Sequence, residues 1–223
     1  IYLNFEIENI SSFRQLFIKN HITGLNVTIP YKEEIIPYLD SLDNVSNTLG
    51  AVNTILPNYK NNKLISLKGF NTDVYGFHQM IKPYLTTNHS KALILGTGGA
   101  SKAVAYVLKS YNIDVNYISR KERLSEQNYF TWKDINNHMV ENHNLIINTT
   151  PLGMYPNIVE KIDFPYEYIN SKHLIIDLIY NPSKTFFLLK CEENNAQILN
   201  GYQMLVHQAL KAWNIWNSSI NIE

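Results

Sequence analysis

The stretch Lys91 to Val107, KALILGTGGASKAVAYV, constrains the fold more than any other part of the chain. Ala92 to Leu95 reads as a short apolar strand and the glycines as a tight turn. Beyond them Val104, Val107, Leu108 and Tyr111 recur at helical spacing. Strand, glycine turn and helix in that order make the βα unit that binds dinucleotides. Gly96 permits the turn and Gly98 removes the side chain that would hold a pyrophosphate off the backbone. Ser101 replaces the third glycine of the usual fingerprint and can cap the helix. The helix start offers unpaired N–H groups and the positive dipole end to phosphates. An ordinary strand-turn-helix could carry the same glycines, so it is the order of the three elements that favours a nucleotide.

Length and charge narrow the remaining choices. A chain of 223 residues with 45% apolar side chains can build one or two domains around real cores. Its 19 basic and 19 acidic residues cancel and no basic tract is clustered, which argues against nucleic acid and against an anionic membrane as partners. The apolar runs, such as Leu174 to Tyr180, are far shorter than the ~20 residues of a membrane helix. Cys191 is the single cysteine, which excludes intramolecular disulfides and thiolate zinc sites, and the seven histidines show no metal-binding spacing. A reducing, cytoplasmic setting is expected, with no metal. No secretory signal opens the chain, and Ile1 leads directly into what reads as a strand.

Ahead of the glycine turn, residues 1 to 30 read as a βαβ unit: a strand Tyr2 to Ile7, a helix Ser12 to Asn20 closed by Gly24, and a strand Leu25 to Ile29. Pro30 then suits the first position of a short helix limited by Pro37, which places Lys32 in its first turn. A cation there opposes the helix dipole, although a single lysine is most often a solvated surface charge. Gly50 to Leu56 and Lys63 to Leu67 suggest a hairpin about the turn Asn58 to Asn62. Asn53, inside an apolar run, is either a bridge to backbone or a group aimed at a ligand. Asp73 opens a helix that carries Val74, Phe77, Ile81 and Tyr84 on one face, where an acidic residue also serves as a cap.

The polar stretch Thr86 to Ser90 marks a domain boundary, and a second strand, Asp114 to Ser119, follows the first βα unit. It ends in Ser119, Arg120 and Lys121 rather than in the acidic residue that binds a ribose 2′-hydroxyl. That suits a 2′-phosphate, unless it is a solvated basic turn. Strands Leu145 to Thr149 and Leu174 to Ile179 end in the polar turns NTTPLGM and YNP, as at the carboxyl rim of a parallel sheet. Thr150 and Met154 could line a nicotinamide pocket or serve as turn residues. A helix Ser183 to Asn195, a strand Gln197 to Leu199 and a helix Tyr202 to Trp216 complete the chain. The last helix bears Leu205, Ala209, Ala212 and Trp216 as a core stripe, and Met204 and Gln208 on a neighbouring face.

Seven blocks in chain order, NVTIPYK (26 to 32), GAVNT (50 to 54), GFNTD (69 to 73), GTGGASKA (96 to 103), NTTPLGM (148 to 154), DLIYNP (177 to 182) and GYQMLVHQA (201 to 209), together resemble the shikimate dehydrogenase family. The resemblance implies a two-domain α/β fold. Residues 1–86 would form a substrate domain, residues 87–200 a Rossmann domain for NADP, and residues 201–223 a final helix returning to the first. It implies the NADP-dependent interconversion of 3-dehydroshikimate and shikimate, a step toward chorismate and the aromatic amino acids, by a monomer or homodimer. Lys32 and Asp73 would be the catalytic pair. Thr28, Asn53, Asp73 and Gln208 would hold the substrate hydroxyls, with Lys32 and Tyr180 in the same cleft. The cofactor would take Gly96, Thr97, Gly98, Gly99, Ala100, Ser119, Arg120, Lys121, Thr149, Thr150, Met154, Ile179, Gly201 and Met204. Members of the family usually begin with a further strand and a Ser-x-Ser loop that holds the substrate carboxylate, and end with another helix. A chain running from Ile1 to Glu223 is expected to lack both. A preference for quinate, or a non-catalytic remnant of the nucleotide fold, are the alternatives.

The chemistry asks for the same residues. Hydride transfer to a ketone carbon requires a proton at the developing alkoxide, and a lysine ammonium both supplies it and stabilises the negative charge. A neighbouring carboxylate orients that ammonium.

Overall fold

A computed structural model describes residues 1–28, 30–121 and 127–218. It is an α/β protein with two sheets, and its contacts define two compact units, Ile1–Tyr75 with Gln208–Glu223, and Gly76–His207.

In the first unit, α1 (Phe13–Asn20) follows a 3₁₀ turn capped by Asn9 and ends on His21 in the left-handed region. Next come β1 (Leu25–Asn26), β2 (Ser41–Leu42) and α2 (Asn44–Leu49), whose cap Asp43 accepts from the Ser46 N–H. The hairpin of β3 (Thr54–Lys60) and β4 (Lys63–Phe70) dominates the sheet, and α3 (Asp73–Ile81) follows it. Sheet order is β1-β3-β4-β2, with β2 parallel to β4 and the other pairs antiparallel. Asn61 and Asn62 turn the hairpin with φ of 50° and 59°, a pair of left-handed residues that asparagine tolerates and a two-residue hairpin turn needs. Phe13, Phe17, Ile35, Val52, Ile55 and Leu67 form the core.

Two local expectations fail here. Residues Tyr2 to Ile7 form no strand, and β1 runs antiparallel to β3, so the opening is not a βαβ unit. Ile29, the expected end of that strand, lies outside the described residues. The segment after Pro30 is a series of turns ending in a 3₁₀ helix, Ile36–Tyr38, rather than an α-helix. The Lys32 carbonyl is taken by the Val52 N–H at 2.7 Å, and Pro37 has no N–H to give back to Glu33, so the helical ladder cannot form.

The second unit is a doubly wound sheet. Its elements are β5 (Lys91–Leu95), α4 (Gly99–Ser110), β6 (Asp114–Ser119), β7 (Tyr129–Thr131), α5 (Asn137–Asn142), β8 (Leu145–Asn148), β9 (Leu174–Asp177), α6 (Phe186–Glu193) and β10 (Gln197–Asn200). The helix α7 (Tyr202–Ser218) then crosses into the first unit. All neighbours are parallel, in the order β10-β9-β8-β5-β6-β7. Counted from β5 this is the 3-2-1-4-5-6 order of a Rossmann sheet, and the strand order reverses between β5 and β8. Being covered on both faces, the central strands are buried throughout from Ala92 to Leu95, Leu145 to Asn148 and Leu174 to Asp177. On α7 Met204 and Ala212 are buried, whereas Ala209, expected in the core stripe, is exposed.

Candidate active site

Asn53 stands where three backbone segments meet. Its N–H donates to the Phe70 carbonyl at 3.0 Å, and its own carbonyl accepts from the Val27 N–H at 2.8 Å. The buried side chain is thereby fixed and uses both ends. Oδ1 accepts from the Thr72 N–H at 2.8 Å, and Nδ2 lies 2.9 Å from Asp73 Oδ1, 3.1 Å from Thr72 Oγ1 and 3.2 Å from Gln208 Oε1.

Asp73 is the first residue of α3, yet it does not cap it. Asn71 does: its Oδ1 accepts from the N–H of Asp73 at 3.1 Å and of Val74 at 3.4 Å, while its Nδ2 donates to Ala51 O. The carboxylate is thus free to face Lys32, whose Nζ donates to Oδ2 at 2.7 Å. The Asp73 side chain is 4% exposed and that of Lys32 19%, so the pair is anchored at the carboxylate and open at the ammonium. Lys32, Asp73, Asn53 and Gln208 form one connected group, all within the first unit. Thr28 is exposed nearby in sequence, and its carbonyl accepts from the Tyr31 N–H.

At the carboxyl rim of the parallel sheet, Gly96 has φ 106°, as a glycine turn requires, and a side chain there would meet Thr149 Oγ1 at 2.8 Å. Gly98 is the N-cap of α4, and no side chain caps this helix. A Cβ on Gly98 or Gly99 would meet nothing within 4 Å, so the space before the helix start is open to a ligand. Thr97 and Ala100 flank it, half-buried. Ser101 is not the cap expected of it. It lies buried within the first turn and donates its hydroxyl back to the Gly98 carbonyl at 2.6 Å. Three residues beyond the N-cap Gly98, it sits too far along the helix to serve the first N–H groups.

Ser119 is buried and accepts from the Lys121 N–H at 3.2 Å, which leaves Arg120 and Lys121 exposed after β6. Thr149 donates its hydroxyl to Leu95 O at 2.8 Å, tying the turn after β8 to the end of β5. Thr150 is held on Asn148 by two hydrogen bonds, at 2.7 and 2.9 Å. Met154 and Tyr180 are exposed, whereas Ile179, Gly201 and Met204 are buried, with the Gly201 N–H donating to Ile179 O at 3.1 Å. An open helix start with glycines before it and exposed cations after the second strand match the donor set that a dinucleotide with a 2′-phosphate needs. Asn71, Thr72, Asn148, Asp177 and Thr185 complete these networks without having been singled out in the sequence. Asn71 and Asn148 follow apolar runs, Asp177 interrupts one and Thr185 precedes one, which was their only signal. Among the described residues no cluster of metal-binding side chains occurs, and no helix is long and apolar enough to cross a membrane.

Comparison with known proteins points the same way. Residues 1–55 match the shikimate dehydrogenase substrate binding domain. A shikimate dehydrogenase (NADP(+)) of Methanosphaera stadtmanae is 36% identical over 225 residues, 95% of this chain and 78% of that protein. One from Clostridium beijerinckii is 38% identical over 232 residues, 96% of this chain and 80% of that protein. Among solved structures, shikimate dehydrogenase 1 from Peptoclostridium difficile superposes with a TM-score of 0.80 at 35% identity, covering 97% of this chain and 79% of that one. The Thermus thermophilus enzyme, in complex with NADP(H) and shikimate, gives 0.79 at 26% identity over 96% and 80%. The fold, the glycine turn and these relatives together place the chain in the shikimate dehydrogenase family of NADP-dependent oxidoreductases.

Proposed function

We propose that the chain interconverts 3-dehydroshikimate and shikimate, with residues 1–86 and 201–223 serving the substrate and residues 87–200 serving NADP. The observation that carries this reading is the Lys32–Asp73 pair, at 2.7 Å, joined through Asn53 to Gln208. When bound, NADPH supplies the hydride that adds to the ketone carbon. Lys32 gives a proton from Nζ to the oxygen that becomes the alcohol and is reprotonated from solvent, and its charge stabilises that oxygen as negative charge develops. Asp73 keeps the ammonium in place, and Asn53 keeps the carboxylate turned toward it. Asn53, Asp73 and the unused amide of Gln208 offer donors and acceptors to ring hydroxyls, and Thr28 and Tyr180 are further candidates for such contacts.

The glycine turn, Gly96 to Ala100, would hold the pyrophosphate. Ser119, Arg120 and Lys121 would hold the 2′-phosphate, a charge-assisted contact that favours NADP over NAD. Thr149, Thr150, Met154, Ile179, Gly201 and Met204 would receive the nicotinamide end. A cytoplasmic setting suits both NADPH and the buried thiol of Cys191, which burial pushes up to about 12. The test is NADPH oxidation by the 223-residue chain with 3-dehydroshikimate, beside NADP+ reduction with shikimate and with quinate. Turnover preferring shikimate supports the reading. No turnover on either acid, or a preference for quinate, overturns it.

A further inference from the structure

Asp177 closes β9 with a side chain wholly shielded from solvent, and its donors are all neutral. Thr185 Oγ1 donates to Oδ2 at 2.6 Å, and Asn148 Nδ2 and the Ile179 N–H donate to Oδ1 at 2.9 and 3.1 Å. Burying a carboxylate without a cation is expensive. Burial accordingly pushes this carboxyl up to about 6, against the three hydrogen bonds that draw it down. A neutral side chain would fill the place more cheaply if packing were its whole role.

The partners say what the carboxylate adds. Each belongs to a different segment: Asn148 ends β8, Ile179 lies in the turn after β9, and Thr185 is the N-cap of α6, accepting from the Leu188 N–H at 3.3 Å. A carboxylate only accepts, so Asn148 must turn its NH₂ toward Asp177 and its oxygen away. That oxygen then accepts from both the N–H and the hydroxyl of Thr150, at 2.9 and 2.7 Å. The same two turns are tied again by Leu178 N–H to Asn148 O at 3.0 Å and Tyr155 N–H to Asn181 O at 3.1 Å. One acceptor-only group therefore orients Thr150 on one side and Ile179 on the other.

We propose that Asp177 is a positioning residue for the nicotinamide end of the cofactor, setting the turns after β8 and β9 through Asn148 and the Ile179 N–H. The inference rests on the dinucleotide reading above and extends it to a residue that touches no ligand itself. In Asp177→Leu both acceptor oxygens are gone, Asn148 Nδ2 and the Ile179 N–H are left buried without that partner, and the two turns lose their common reference.

The experiment compares two probes on the full chain by calorimetry: NADP+, and 2′-phospho-ADP-ribose, which lacks the nicotinamide. Asp177→Leu should weaken NADP+ by about tenfold and leave the fragment within about twofold. In turnover kcat should fall, with the shikimate KM unchanged. Asn148→Ala, which leaves the carboxylate two of its donors, should show the same selectivity and guards against a variant that fails to fold. The exchange Asn148→Asp with Asp177→Asn restores the pair between positions 148 and 177 but not the acceptor for the Ile179 N–H, and should recover part of the NADP+ affinity lost in Asp177→Leu. Equal loss of both probes, no loss of either, or no recovery in the exchange overturns the inference. Failure of the unmodified chain to bind either probe overturns the cofactor reading with it.

Discussion

Lys32 has three N–H bonds and, among the described residues, a single hydrogen-bond partner, Asp73 Oδ2. The other two bonds point from a side chain that is only one-fifth exposed, which is how an ammonium is held ready for an oxygen that is not yet there. Lys32→Ala is expected to lower kcat by roughly two to four orders of magnitude with KM changed little, and Asp73→Ala to do likewise. On the proposal that the carboxylate acts through the ammonium, the double variant should cost far less than the product of the two single losses. Steady-state kinetics on the four proteins decide it, and strict multiplicativity would mean that the two residues work independently. The family resemblance made Lys32, Asp73 and Asn53 legible as candidates. What it could not decide was whether Asp73 or Asn71 caps α3, because both residue types suit that position. The choice follows from Ala51, whose carbonyl fixes the Asn71 amide from another segment.

At the level of elements, two glycines in the nucleotide unit do opposite things. Gly98 faces open space, so Gly98→Ala should cost at most about 1 kcal/mol of stability through the weaker N-cap, while its methyl group obstructs the pyrophosphate approach and weakens NADP+ binding tenfold or more. At Gly201 a Cβ would come within 1.9 Å of the Leu178 carbonyl, so Gly201→Ala must displace backbone where β10 passes into α7, and should cost ~3 kcal/mol or more. Urea titration and cofactor titration of both variants separate the two effects. A Gly201→Ala protein of unchanged stability would refute the packing argument. Patterning located β5, β6, β8, β9 and the β3–β4 hairpin because burial on both faces or an asparagine turn leaves a local mark. It failed for Tyr2 to Ile7, since alternation tells which face a strand would bury but not whether a neighbour exists to pair with it. Strands as short as β2 and β7, and the single-turn α5, carry too few residues for any period to show.

Across the whole molecule, acid acts through buried groups of opposite sign. Burial lowers the proton affinity of His89 and His143, and Lys91 adds to the effect on His143. The unfolded chain therefore binds protons that the folded chain refuses, and this stability is present above the ordinary histidine value of about 6.5 and lost as pH falls below it. Geometry agrees, because His89 Nδ1 accepts from the Thr86 N–H at 3.0 Å and could not do so once protonated. Asp177 works the other way, its contribution being full below the ordinary carboxylate value of about 3.9 and lost as pH rises through about 6. His143→Gln should flatten the fall in Tm between pH 8 and pH 5.5, read by differential scanning fluorimetry; parallel curves for variant and parent would exclude His143 as a source of acid sensitivity.

The discontinuity of the first unit has a consequence for synthesis. Gln208 bonds to Asn53 across 155 positions and the Trp216 indole donates to Ile55 O across 161, while Gly76–His207 is one continuous run. On the ribosome the nucleotide-binding run can therefore finish folding while the segment made before it still waits for partners not yet translated. At ~5–20 residues per second, the stretch between Tyr75 and Gln208 represents a delay of roughly 7–27 s. For that interval the seat of Trp216, against Gly24 and the Ile55 carbonyl, stands empty on a nascent chain. The part of the enzyme that is made first is the part completed last, and it is there that a cell's chaperones would have most to shield.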